Sequence, residues 1–341
     1  MTYSVTQVAT LRRLARVYRR LLLLAVPATL AGCQDGGDVL APESAGAPGE
    51  VSSVAEPVGS EALASLTATG RIAFSAFGSE EEADVWTMGP AGGNMKRLTS
   101  FAGAEMDPAW SPDHQRIAFQ RARNGKLDIY LMNADGTNKH WALPTAPAYP
   151  LSSPSWSPDG KSLLVHVWLT SSTSKPFVGK IDLVSQTWML LAPANYYAGL
   201  VGWYPIYDKD GKWIYYVDEA THVVRRFQPN GGDYYVNGYA GSVGDLALSP
   251  DGTRLALSMY YGPGDNREIM VDNLSTHQGK RLTDNSANDN HPVWSPDGTL
   301  IAFASNRSGK VQIYTMNSST GGNLHKITSK TNGAAYPSWY R

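Results

Sequence analysis

The chain has 341 residues, which is enough for one large or two medium domains with a sizeable core. Trp (10), Tyr (18) and Gly (33) are plentiful, and this composition favours strands and tight turns over helices. The formal net charge of −1 supplies no basic face for a phosphate backbone, so the composition excludes nucleic acid as a partner.

Residues 1–33 have the layout of a bacterial signal peptide. Five arginines and no acidic residue precede an apolar run, LLLLAVPATL, that falls short of the about 20 residues needed to span a bilayer. The run ends in LAGC, and Cys33 is the only cysteine of the chain. This ending resembles the lipobox of bacterial lipoproteins, which implies a lipid on Cys33 and membrane contact through it. The alternative is an ordinary signal peptide with a cysteine nearby by chance.

The residue after the cysteine is Gln34 rather than Asp. This resembles the outer-membrane sorting signal of enterobacterial lipoproteins. We therefore expect a protein anchored in the bacterial cell envelope, at the outer membrane and facing the periplasm or the surface.

Residues 34–70 are small, acidic and rich in Pro, Gly and Ser, with six acids and no Lys or Arg. They lack the apolar periodicity of a packed element, which predicts a disordered tether. A flexible chain of this length spans about 35 Å on average, so it would let the following domain hang clear of a membrane surface.

One short segment recurs through residues 71–341. Three copies contain the tetrapeptide WSPD, one reads LSPDG, one is degenerate and the last is truncated by the C-terminus. Their aromatic or leucine positions, 41 to 51 residues apart, are Trp110, Trp156, Tyr207, Leu248, Trp294 and Trp339. Pro and Gly in SPDG suit a tight turn between antiparallel strands, and the repeated tryptophans are predicted to pack between repeats.

Three further strands follow each turn. In the second repeat the first two of them are Arg116–Gln120 and Asp128–Met132, and a later repeat ends in the short strand Lys280–Thr283. Four strands in about 45 residues are the strand number and repeat length of a β-propeller blade. Six repeats therefore predict an all-β, six-bladed β-propeller.

The chain ends predict how the ring closes. The first strand, Arg71–Ser75, corresponds to the second strand of the later repeats, whereas Tyr336–Tyr340 is a surplus inner strand. We therefore expect the ring to be closed by a blade of three N-terminal strands plus one C-terminal strand, which leaves no open ring edge.

The pattern PxWSPDG, then IAF, then DIYxMNADG, then RLT resembles the repeat of the TolB-type propeller family, most closely at residues 127–140 and 292–304. The resemblance covers nearly all of residues 71–341 and implies the propeller fold. It implies little about function, because such propellers carry many unrelated activities. TolB proteins have a separate α/β domain before the propeller, and here the acidic tether stands in its place.

No catalytic motif accompanies the repeats: GxSxG, HExxH, the P-loop and GxGxxG are all missing. We therefore favour a non-catalytic binding or scaffold propeller of the envelope, without a cofactor and monomeric, whose partner is an envelope protein or a carbohydrate ligand. The alternative is a carbohydrate-active enzyme, similar to polysaccharide lyases that carry a metal in a related propeller channel.

The candidate site follows from register. The residue before Pro, or before Leu246, in each inner strand is expected at one mouth of the central channel, and these six are Asp107, Ser153, Tyr204, Asp245, His291 and Tyr336. Two carboxylates, an imidazole and two phenols could hold a partner's basic loop, a sugar or a metal ion. The alternative is that these positions are polar because the channel is filled with water.

Tyrosine doublets are a second place for contacts. They occur at Tyr196-Tyr197, Tyr234-Tyr235 and Tyr260-Tyr261, and alternation along a strand would leave one ring of each doublet pointing outward. Packing of both rings in the core is the alternative.

Overall fold

The computed structural model describes residues 69–78, 82–169, 176–192, 200–229, 231–237, 241–261 and 266–340. Cys33, the signal segment, nearly all of the tether and the doublet Tyr196-Tyr197 lie outside these residues. Within the described ranges all regular structure is β-strand, and no helix is long and apolar enough to cross a membrane.

The first twelve strands are β1 (Arg71–Phe77), β2 (Ala83–Met88), β3 (Lys96–Arg97), β4 (Glu105–Trp110), β5 (Arg116–Arg123), β6 (Lys126–Asn133), β7 (His140–Trp141), β8 (Leu151–Trp156), β9 (Ser162–Val167), β10 (Phe177–Asp182), β11 (Thr187–Leu190) and β12 (Gly202–Tyr207). The second twelve are β13 (Ile214–Asp218), β14 (Val224–Phe227), β15 (Asp233–Asn237), β16 (Ser242–Leu248), β17 (Arg254–Tyr260), β18 (Arg267–Asn273), β19 (Gly279–Arg281), β20 (Asp289–Trp294), β21 (Leu300–Ser305), β22 (Gln312–Asn317), β23 (His325–Lys326) and β24 (Ala334–Tyr340).

These strands form six antiparallel four-stranded sheets, the blades of the predicted propeller. Blades 2 to 6 are β4–β7, β8–β11, β12–β15, β16–β19 and β20–β23, each in chain order from the inner to the outer strand. Blade 1 has the order β24-β1-β2-β3, so the C-terminal strand supplies its inner strand. Residues Arg71 and Ile72 pair with Tyr340 and Trp339, as the repeat pattern requires.

The apolar core lies between neighbouring blades. Every residue of β9 and of β21 is buried, because each of these second strands is flanked by strands within its sheet and covered by another blade on both faces. Blades 2 and 3 share one cluster and blades 5 and 6 another. Because the second strands are buried on both faces, short runs of consecutive apolar residues such as IAF and LLV are enough to form them.

The repeat residues connect each turn to the next blade. The Trp156 indole N–H donates to the carbonyl of Ala109 at 2.9 Å, and the Arg116 guanidinium lies 4.6 Å from the Trp156 ring centre. Inside the turn, the Ser157 hydroxyl donates to Asp159 at 2.6 Å. Trp156 and Asp159, like Trp294 and Asp297 in blade 6, therefore have structural partners.

Candidate functional site

The six register-matched positions lie within the inner strands, two or three residues after each strand begins. Five of them have a left-handed backbone: Asp107 (φ 58°), Ser153 (φ 50°), Tyr204 (φ 50°), His291 (φ 51°) and Tyr336 (φ 54°). Each of these inner strands has a register irregularity at this point. Asp245 differs, because the irregularity of β16 lies between Val243 and Asp245. A bulge re-aims a side chain away from the regular pleat, and non-glycine residues with positive φ persist only where the surroundings fix them. We call these six residues the channel ring.

Side chains of the preceding blade fix several of these bulges. In three cases the acceptor lies on the second strand of that blade: the N–H of Asp107 donates to Ser75 Oγ (3.1 Å), that of Ser153 to Gln120 Oε1 (3.3 Å) and that of Tyr204 to His166 Nε2 (2.8 Å). In the fourth case it lies on the inner strand, where the N–H of His291 donates to Asp245 Oδ2 (3.1 Å). The strained backbone is therefore held from blade to blade. Burial lowers the pKa of His166 to about 3, so this imidazole is neutral and can accept.

Asp245 is the centre of a charged cluster. It is only 3% exposed, and its carboxylate lies 3.4 Å from His291 Nδ1 and 3.7 Å from Arg267 Nη1. The neighbouring Tyr204 side chain also helps to lower the pKa of Asp245. Burial alone would raise the pKa of Asp245, but His291, Arg267 and the N–H of His291 outweigh burial and hold the pKa below its usual value.

Asp107 is shifted in the opposite direction. Burial raises the pKa of its carboxyl and the Asp245 charge adds to the rise, whereas a hydrogen bond with Ser153 and the proximity of His291 oppose it. Burial likewise raises the pKa of Tyr204 well above its usual value, so the phenol keeps its proton. The ring thus contains one ionised and one more readily protonated carboxyl.

Aromatic rings meet at this level of the channel. The His291 ring centre lies 4.4 Å from that of Tyr336 and 6.3 Å from that of Tyr204. Their mutual contacts, together with the Asp245 interaction, join residues from blades 1, 4, 5 and 6 into one cluster.

A cavity of about 710 Å³ extends from the ring toward the SPDG turns. Asp107, Ser153 and Tyr204 line it, and in every inner strand the lining begins at the ring position or just after it. Asp245, His291 and Tyr336 do not line it. The channel ring, which was expected at a mouth of the channel, therefore lies at the inner end of a cavity. Three of its six residues line the cavity, and the other three contact one another beside it.

Register analysis missed Arg267, because its position at the start of β18 has no counterpart in the inner-strand repeat. It also missed the acceptors Ser75, Gln120 and His166. Each is a polar residue directly after the apolar segment of a second strand, and this pattern could have indicated them. Among the described residues, no group of three or more His, Cys, Asp or Glu side chains is arranged to hold a metal ion. A metal ion in the channel would need several such side chains close together, and within the ring this is seen for Asp245 and His291.

Comparisons with known proteins bear on the fold. A sequence model of the TolB beta propeller domain matches residues 67–200 and 203–341. The Tol-Pal system protein TolB of Francisella tularensis subsp. tularensis (strain WY96-3418) is 28% identical over 200 residues, covering 58% of this chain and 34% of the relative. This chain therefore spans about a third of the length of the curated TolB relatives that it matches.

Solved structures show the same architecture. TolB from Acinetobacter baumannii superposes with a TM-score of 0.66 at 21% identity, over 79% of this chain and 66% of that one. An oligogalacturonate lyase in complex with manganese gives a TM-score of 0.51 at 15% identity, over 75% of this chain and 73% of that one. At these identities the likeness concerns the fold alone.

Proposed function

This chain belongs to the family of TolB beta propeller domains, and from that premise we propose that it is a non-catalytic binding propeller of the bacterial cell envelope. Its partner is an envelope protein or a carbohydrate ligand held at the channel ring. The proposal is supported by relatives named as components of the Tol-Pal system. The first relative is matched over only about a third of its length, so the partner itself is argued from this chain's own site.

One observation carries the proposal: three ring residues line one end of a cavity large enough for a ligand, and the buried Asp245–His291 contact lies beside them. Volumes of about 300–1,000 Å³ are typical of ligand pockets. Asp107, Ser153 and Tyr204 line this cavity, and Asp245 and His291 lie beside it, with the His291 ring against those of Tyr204 and Tyr336. Because the backbone strain is already built in, a ligand would meet groups that need little reordering.

We further propose that the propeller is anchored through lipid on Cys33 and faces the periplasm or the surface from the outer membrane. Acyl chains contribute about 0.8 kcal/mol per buried CH₂, so a multiply acylated cysteine would anchor stably. Labelled fatty acid should be incorporated into the full chain and should be absent from a Cys33→Ser variant. A Cys33→Ser chain that still takes up label and sediments with membranes would contradict the anchor.

The binding function is tested by crosslinking the full chain in its native envelope. We expect Tyr204→Ala and His291→Ala to lose the major crosslinked partner by at least tenfold. The matched controls are Tyr149→Ala and His325→Ala, which change residues of the same types outside the ring. Variants that are folded and retain the partner would show that the ring is not the contact surface.

The opposite pKa shifts of Asp107 and Asp245 favour a second candidate, a carbohydrate-active enzyme, because acid–base catalysis uses carboxyls separated in this way. Incubation of the full chain with acidic polysaccharides, with and without manganese, tests it. Release of unsaturated products that Asp245→Asn abolishes would establish the enzyme and displace the binding proposal.

A further inference from the structure

The outermost strands of the six blades differ in length. Those of blades 1, 2 and 6 have two residues and that of blade 5 has three, whereas β11 has four and β15 five. An outer strand has one side without a pairing neighbour, so its length sets how many backbone groups are open to another chain. Among the described residues, β15 is the longest such edge.

The short edges also carry basic side chains, which discourage pairing with another strand. Lys96 of β3 and Lys280 of β19 donate to backbone carbonyls of the next blade, Asp135 O at 2.9 Å and Ser319 O at 2.8 Å. The sequence of β15, DYYVN, has neither Lys nor Arg. Its two central side chains, Tyr234 and Tyr235, are 51% and 55% exposed.

The charges beside β15 are largely satisfied within blade 4. Asp233 accepts from Arg225 at 2.7 Å and from the Tyr216 hydroxyl at 3.1 Å. On the opposite face, the Tyr234 ring packs edge-on against Trp213, with ring centres 5.4 Å apart. The edge therefore presents two ordered aromatic rings, one on each face, next to a neutralised carboxylate.

We propose that β15 pairs antiparallel with β15 of a second copy of this chain, joining two propellers edge to edge into a two-fold dimer. A two-fold axis perpendicular to the sheet keeps each residue on the same face in both copies, so the register places Tyr235 opposite Tyr235 of the other copy. Tyr234 then faces Val236 and Asp233 faces Asn237, so no like charges are opposed. One face then gains an aromatic pair across the strands, and the other gains contacts between Tyr234 and the β-branched Val236; both are favourable cross-strand combinations. An isologous contact of this kind is the commonest route to a closed dimer.

Two further observations favour a second copy as the occupant. Residues 71–341 carry 24 basic and 24 acidic side chains, so two copies have no net charge to repel each other. The chain's own tether, rich in Ala, Gly, Pro, Ser and Glu, is composed of residues depleted from strands. This proposed dimer differs from the monomer expected from the sequence alone, and it is independent of the channel ring.

Sedimentation of the full chain in detergent, over a hundredfold range of concentration, tests the dimer. We expect a monomer–dimer equilibrium whose dissociation constant rises at least tenfold in Tyr234→Lys and in Tyr235→Lys, with unchanged melting temperatures. Leu324→Lys, which changes an exposed residue of blade 6, is the matched control and should dimerise normally. A chain that is monomeric at every concentration, or a dimer unaffected by either tyrosine change, would overturn the proposal.

Crosslinking between copies tests the register. Because Cys33 is the only cysteine, Cys33→Ser chains carrying either Tyr234→Cys or Tyr235→Cys have one thiol each. Directly opposed Cβ atoms lie about 4.5–5.5 Å apart and diagonal ones about 7–8 Å, so oxidation should join two Tyr235→Cys chains by a disulfide several-fold faster than two Tyr234→Cys chains. A rate no greater than that of a Leu324→Cys control would refute the pairing.

Discussion

Removal of the last six residues, Tyr336–Arg341, should destabilise the whole propeller because these residues close the ring. The truncated chain keeps every motif of blades 2 to 6, yet blade 1 loses most of its inner strand. Trp339, which is 8% exposed and lies between blades 6 and 1, is lost from the core. The ladder partners of Arg71 and Ile72 are lost as well.

The magnitude follows from three contacts. Truncation of a buried Trp costs about 3–5 kcal/mol. The Tyr340 ring, 4.0 Å from that of Trp110, adds about 0.5–1.5 kcal/mol. The hydrogen bond from the Trp110 N–H to Ser338 Oγ, 3.1 Å long, adds about 1 kcal/mol. A loss of at least about 5 kcal/mol is comparable with the whole stability of many domains, about 5–15 kcal/mol.

Thermal unfolding followed by circular dichroism measures the effect, and hydrogen exchange locates it. The melting temperature should fall by about 10 °C or more, since about 1 kcal/mol corresponds to 2–4 °C for a domain of this size. Amides of β1 should exchange first. Trp339→Ala alone should cause about two thirds of the loss, similar to Trp156→Ala in a blade of continuous chain. A truncated protein with wild-type melting and protected β1 amides would refute closure by β24.

Three further changes probe the blades. Arg116→Ala should lower the unfolding free energy by about 1–2 kcal/mol in urea titration, because it removes the stacking on Trp156 and a backbone hydrogen bond. Burial raises the pKa of Glu105 from 4.5 to about 7, so the folded chain binds more protons than the unfolded chain in this window. The unfolding free energy should therefore fall as pH rises from 5 to 7.5, and less so in Glu105→Gln. Gly202→Ala should cost about 1–3 kcal/mol, because its Cβ would lie 2.5 Å from the buried Tyr216 ring.

Each of these has its own check. Arg116→Lys keeps the charge but loses the planar guanidinium, so it should recover only part of the Arg116→Ala loss. An identical pH slope with and without Glu105 would show that this carboxyl is not the proton-binding group. Gly103→Ala is unsuitable as a control because Gly103 has a φ of 108°, whereas Gly93→Ala has open space at its Cβ and should be close to neutral.

The six blades and their closure could be predicted from sequence because the information is local. Each SPDG turn and each apolar triplet determines its own hairpin, and counting copies gives the ring. The equivalence of the ring positions was also readable, since residues one place before Pro108, Pro154 and Pro292 share a register. These inferences need only the strand period and the repeat length.

The tertiary structure decided what the channel residues do. Whether Asp245 contacts His291 of the next blade, and whether Arg267 of its own blade neutralises it, depends on how the side chains of blades 5 and 6 pack, which no repeat encodes. The same holds for the cavity, whose inner end is lined by Asp107, Ser153 and Tyr204 from blades 2, 3 and 4. Repetition determines the blades because each is a local unit, whereas the differences between blades become a site only after the ring has closed.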